Sequence, residues 1–212
     1  MLCQRYAGTH VYLLMPTAMA CPLSTLPLFP LHGNLLPGAG ISLRLFEPRY
    51  LDLLRQCSRD NSTFGVCLIL DGDEVGAPAT PAAWGVEALI EDFDSGADGV
   101  LLLRLRGNRR FRVEQVAVRD NGLVVGQVQW CPADADDQVQ PQHALLSLLL
   151  ERILDQVGGP YAKAGPEQFD QAAWVGWRLA ELLPLEETQR LQLLQLDDVH
   201  QRLEHLLGWI PD

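Results

Sequence analysis

Apolar positions follow two regimes along the chain. Up to Trp130 they alternate or run in short blocks; from His143 they recur three and four apart. Leu26, Leu28 and Leu31 with Phe29 read as a strand, bracketed by Pro27 and Pro30. Proline donates nothing to a ladder, so this strand is expected at an edge or beside a bulge. Gly33-Asn34 and Pro37-Gly38-Ala39-Gly40 mark turns. Ile41, Leu43 and Leu45 alternate with Ser42, Arg44 and Phe46, a second strand that stops at Glu47-Pro48. Pro48 suits the first position of a helix. Tyr50, Leu53, Leu54 and Cys57 then give one buried helical face.

Phe64 to Leu70 is a continuous apolar run, expected as a central strand. Trp84–Glu91, Val100–Arg106, Phe111–Arg119 and Leu123–Trp130 follow as strands. Asp94–Gly99, Gly107-Asn108 and Asp120-Asn121-Gly122 turn the chain between them. About six strands interrupted by one helix predict an antiparallel, partly closed β-barrel. From His143, Leu145, Leu148, Leu149, Arg152 and Ile153 mark a helix ending at Gly158-Gly159-Pro160. Phe169–Leu182, Leu185–Leu194 and Asp197–Leu207 predict three more, and the last five residues a tail. The fold class is thus α+β: a β-barrel with one inserted helix, then a helical bundle. The expected divisions are an N-terminal extension over 1–24, a barrel subdomain over 25–131, a linker over 132–141 and a bundle over 142–212.

Composition narrows the chemistry. Residues 1–20 faintly mimic a signal peptide, but Pro16 interrupts the short apolar run, so Met15 or Met19 is a candidate start. No apolar run approaches about 18 residues, so no membrane span is expected. The five cysteines form no C-x-x-C pair, which favours small buried hydrophobes in a reducing, cytoplasmic setting. A net charge of −11 weighs against nucleic acid. Lys163 is the single lysine, so Gly33 to Gly38 cannot open a P-loop.

The runs LPLFPL, LLPG and LRLFEPRY, with FGV at Phe64–Val66 and the G-x-x-RF turn at Gly107, Arg110 and Phe111, resemble the Lon protease N-terminal, substrate-binding domain. Cereblon carries a related domain. The resemblance spans roughly Thr25 to Leu207. It implies that the barrel is PUA-like, and a stand-alone substrate-binding module without ATPase or peptidase. Phe46, Glu47, Pro48, Arg49 and Tyr50 are the second family motif.

A Lon-type peptidase needs a Ser–Lys dyad, and no serine motif accompanies Lys163. Ser42 lies in strand periodicity rather than at a nucleophile elbow. His200 and His205, at i and i+5, lack metalloprotease spacing and read as solvated; His32 reads as a turn residue. No metal site, cofactor or catalytic residue is assigned. Of the clustered Arg104, Arg106, Arg109, Arg110 and Arg112, the turn from Gly107 to Phe111 with Arg109 and Arg110 could bind a carboxylate or phosphate, while alternation makes Arg104, Arg106 and Arg112 cross-strand partners for Glu87, Glu91 or Glu114; the structural reading is preferred. Leu35, Leu36 and Pro37, flanked by glycines, are the candidate polypeptide-binding loop, or else they cap one end of the barrel. The expected function is non-catalytic binding of unfolded or degradation-prone polypeptide, as an adaptor to a separate protease. A hydrolase with an unrecognised site and a PUA-like RNA-binding module are the alternatives.

Overall fold

The computed structural model describes residues 22–95, 100–159, 161 and 163–210. The candidate starts Met15 and Met19, the tip of the 94–99 hairpin loop and the last two residues lie outside these. The strands are β1 (Ser24–Leu31), β2 (Gly40–Leu45), β3 (Phe64–Asp71), β4 (Thr80–Ser95), β5 (Leu101–Val118) and β6 (Val124–Trp130), with α1 (Pro48–Asp60) between β2 and β3. Five helices follow: α2 (Ala144–Val157), α3 (Pro166–Phe169), α4 (Ala172–Leu182), α5 (Glu187–Leu194) and α6 (Val199–Trp209).

The six strands form one mixed sheet in the order β2-β5-β4-β3-β1-β6, and β6 pairs again with β5. The sheet is not wholly antiparallel as expected, because β1 and β3 run parallel. The long connection through β2 and α1 permits that. β1 is internal, yet its prolines obey the edge rule locally. Residues 24–28 pair with β6 and residues 28–31 with β3. Pro27 precedes the second ladder and Pro30 follows the first, so each has one side without a ladder partner. The expected turn at Gly107-Asn108 is a bulge inside the single strand β5. Between Val86 and Ala88 of β4, the facing residues on β5 shift from Arg110 to Gly107. The first half of β5 pairs with β2 and the second with β6.

One buried cluster joins Phe29, Val66, Val86 and Leu105 of the sheet to Leu146, Leu179 and Leu203 of the helices. A second, smaller cluster packs Leu26, Leu28 and Val128 around Phe111. A Cβ on Gly65 would lie 2.4 Å from the Phe111 ring, so that strand position requires glycine. On α2 the buried positions are Leu146, Leu150 and Leu154, while Leu145 and Leu148 face outward. The expected Phe169–Leu182 helix is split into α3 and α4, and Gly208-Trp209 extend α6 rather than starting a tail.

Residues 132–141 carry the seam between sheet and helices. Asp134 Oδ1 accepts from Arg202 at 2.9 Å and from Arg110 at 3.4 Å, and Oδ2 accepts from the Trp177 indole at 2.5 Å. Arg110 also donates to the carbonyls of Leu194 and Leu196, both at 2.9 Å, and to Asp197 at 3.0 Å. The first of these places a cation at the C-terminus of α5, where the helix dipole favours it. The Arg202 guanidinium lies 3.8 Å from the Trp177 ring centre, and the residue is fully buried. Removing Asp134 strands the buried Arg202 cation and leaves Arg110 to Asp197 and the two carbonyls. We expect Asp134→Ala to cost about 3 kcal/mol or more in urea unfolding. Glu114→Ala, which removes the exposed Arg112 pair, should stay within about 0.5 kcal/mol. Equal losses would mean the seam is not held by Asp134.

His143, at the entry to α2, is buried, and its ring faces that of His200 at 5.7 Å. His200, expected to be solvated, is half-buried beside Asp137. Burial and then His200 hold the His143 pKa below the ordinary imidazole range, with Glu204 opposing. The folded protein therefore binds this proton more weakly than the unfolded chain. Stability that is full above the ordinary imidazole range is lost as pH falls through it. The melting temperature should fall less steeply between about pH 7 and pH 5 in His143→Phe than in wild type. Parallel curves would remove His143 from the acid limb.

Candidate functional site

Leu35 and Leu36 are 1% and 2% exposed, and Pro37 is half-buried. The apolar loop expected to meet polypeptide is therefore packed away, which fits the alternative of a capping role. Its backbone lies on Gly107, where a Cβ would come within 2.1 Å of the Leu36 carbonyl oxygen. Gly38 N donates to Gly107 O at 2.8 Å and Gly107 N to Ala39 O at 2.9 Å. From α4, Arg178 donates to the carbonyls of Pro37 and Gly38 at 2.5 and 3.0 Å. LLPG and the glycine of G-x-x-RF are thus two sides of one contact, with the side chains of Leu35 and Leu36 turned into the core.

The EPRY residues are divided by burial. Tyr50 stacks on Phe29 at 3.9 Å in the core. Arg49 is buried, pairs with Glu47 at 2.9 Å and donates to the carbonyls of Gly122 and Glu74. Glu47 occupies the N-cap position of α1 but caps no amide with its side chain. Pro48 and Phe46 are exposed. Arg110 and Phe111 are buried on opposite sides of β5, Arg110 against the helices and Phe111 in the smaller cluster.

The arginine group on β5 is not a bare cationic patch. Arg104 pairs with Asp92, Arg106 with Glu91, Arg109 with Glu87 and Arg112 with Glu114. Cross-strand pairing accounts for three of these, while Arg112 and Glu114 share a strand. Ser42 is an exposed strand residue facing Arg104 in the ladder. Burial pushes the Cys67 thiol far up, so it stays a neutral thiol.

Two hollows flank α1. On one side, Leu51, Leu54, Ile90, Phe93, Leu101 and Leu103 wall an apolar groove of about 720 Å³ between α1 and the β4–β5 hairpin, with Arg55 and Arg59 at its rim. Phe93 is 64% exposed. Alternation alone missed it. The register shifts between Ile90 and Asp92, so residues of unlike parity line the same hollow. On the other side, beyond the C-terminal turn of α1, a polar hollow of about 530 Å³ is lined by Gln56, Asn61, Thr63, Glu87, Arg109 and Trp130 among others. Within the described residues, no helix is long and apolar enough to cross a membrane.

Residues 25–212 match the family described as the ATP-dependent protease La (LON) substrate-binding domain. A Lon N-terminal domain protein from Xanthomonas campestris is 62% identical, with a TM-score of 0.77 over 89% of this chain and 99% of that one. The N terminal domain of Mycobacterium avium complex Lon protease is 17% identical, with a TM-score of 0.63 over 88% of this chain and 97% of that one. That second likeness bears on the fold alone. Among curated proteins, none matches the chain. The matched region contains neither a protease nor an ATPase domain, and the chain belongs to the Lon substrate-binding domain family.

Proposed function

We propose that this domain captures unfolded or degradation-prone polypeptide through the apolar groove between α1 and the β4–β5 hairpin. It does so without hydrolysing the chain, and acts in the cytoplasm as an adaptor to a separate protease. The returning strand order is read as a PUA-like barrel, with α2–α6 as a helical bundle braced against it. The observation that carries the proposal is Phe93, a large aromatic left in solvent at the mouth of a groove walled by five aliphatic side chains. Its exposure continues the groove's apolar wall, and a contiguous apolar hollow rather than a single side chain is what suits a binding surface. The family match supplies polypeptide as the ligand class.

Hydrophobic capture is nearly indifferent to salt, whereas binding through exposed charges weakens as salt screens them. A labelled, permanently unfolded casein is the probe. Phe93→Ser should bind it about tenfold more weakly, since burying such a side chain is worth about 1.5–3 kcal/mol, and should melt like wild type. Wild-type affinity should change little from low to high salt, and casein should remain intact with and without ATP. Leu35→Ser/Leu36→Ser should instead unfold, because both side chains are core. Full binding by Phe93→Ser, or affinity that collapses in salt, would move recognition away from this groove.

A further inference from the structure

The polar hollow on the other side of α1 is organised around one side chain, Arg109. The β5 bulge separates it from its neighbour. Arg110 turns into the core while Arg109 stands over the outer hollow, and bulges commonly re-aim side chains in this way. Arg109 lies over Trp130, its guanidinium carbon 4.0 Å from the ring centre. Its Nε and Nη2 donate to the two oxygens of Glu87 at 2.9 and 3.1 Å.

Glu87 is itself 4% exposed, and Thr63 and Asn108 donate to its remaining lone pairs at 2.7 and 2.8 Å. Burial alone raises its pKa, but the bonds from Arg109, Thr63 and Asn108 outweigh that and hold it below the ordinary carboxylate range. The carboxylate is saturated and accepts nothing further. Its effect is to fix Arg109, whose other edge is left toward the hollow. Trp130 is fixed in turn by its indole N–H, which donates to Ser24 Oγ at 3.0 Å.

A second guanidinium, Arg119, lines the same hollow and donates to a neutral group, Gln56 Oε1, at 3.4 Å. Asn61 and Ser62 add polar groups to the wall. The acid on the rim, Asp60, pairs with Arg59. A guanidinium held rigid by a buried carboxylate and an aromatic ring, beside a second one with a neutral partner, suits a planar oxyanion.

We propose that this hollow is a carboxylate-binding site, occupied by a C-terminal carboxylate or an acidic side chain of the captured chain. The source of the carboxylate rests on the polypeptide-binding reading; the site itself does not. It gives the domain a polar anchor on one flank of α1 and an apolar one on the other.

The test is nuclear magnetic resonance on the full chain, observing the Trp130 indole N–H. The probes are a short acetylated peptide with a free C-terminus, its C-terminal amide, and the amide carrying one internal glutamate. Sodium chloride at equal ionic strength is the control. The free-acid peptide should shift the Trp130 resonance saturably, and the plain amide and chloride should not. If the glutamate amide also shifts it, acidic side chains are accepted; if not, the site takes chain ends.

Arg119→Gln should weaken binding about tenfold, the loss expected for one charged hydrogen bond. Arg109→Gln should abolish it. Because that change strands Glu87, the doubly neutral Glu87→Gln/Arg109→Gln variant repeats the measurement in a folded background. Arg112→Gln, equal in charge change but paired on its own strand, should bind like wild type. Phe93→Ser should keep the carboxylate response even as it binds casein about tenfold more weakly, so the two readings fail separately. Unchanged binding in the double variant, or a chloride response equal to that of the free acid, would overturn the site.

Discussion

Two buried guanidinium groups from opposite halves of the molecule, Arg110 on β5 and Arg202 on α6, share the carboxylate of Asp134, and Arg110 also reaches Asp197. A buried cation is tolerable only with charge and hydrogen bonds to hand. Here the carbonyls of Leu194 and Leu196 supply the bonds, and Trp177 covers Arg202 with its ring while donating to Asp134. Each partner comes from a different element: β5, the 132–141 stretch, α4, the end of α5, and α6. The arrangement therefore forms only when the helices are seated on the sheet. Arg178 repeats the device at the LLPG loop, binding two of its carbonyls from α4.

This constraint decides what is left for recognition. Family-motif side chains that look chemically inviting, Arg49, Arg110 and the Leu35-Leu36 pair, are consumed in holding the fold. Among the described residues, two of the hollows that remain open flank α1, a helix whose position is fixed by Tyr50 on Phe29 and by Arg49 on neighbouring carbonyls. A preformed surface on a rigid helix loses little ordering entropy on binding. That suits the proposed capture of disordered polypeptide.

Much of the fold was legible in periodicity. The α1 face from Tyr50 to Cys57 and the apolar β3 run were read directly, because burial there follows one residue spacing. The errors fall where long-range partners override local signals. Gly107-Asn108 carries turn residues, yet it is a bulge because the LLPG backbone packs on Gly107 from elsewhere in the chain. The buried face of α2 is Leu146, Leu150 and Leu154, and a leucine-rich helix offers several stripes from which only its neighbours choose. Between the two readings of Leu35 and Leu36, loop contact or cap, the spacing could not choose for the same reason; their burial comes from partners elsewhere in the chain. Phe93 carried no signal in its alternation, and Arg109 was read within an anion-binding turn that was set aside for cross-strand pairing; each owes its direction to a register shift that no single-strand pattern reveals.

The most direct measurement is hydrogen exchange of the domain with and without a saturating unfolded polypeptide. Bound polypeptide should slow exchange along α1, chiefly Leu51 to Arg59, and on the facing hairpin at Ile90–Phe93 and Leu101–Leu103. The LLPG loop and the outer face of α2, with Leu145 and Leu148, should be unaffected. Protection confined to α2, or slowed exchange at residues 35–37 with none along α1, would contradict the account.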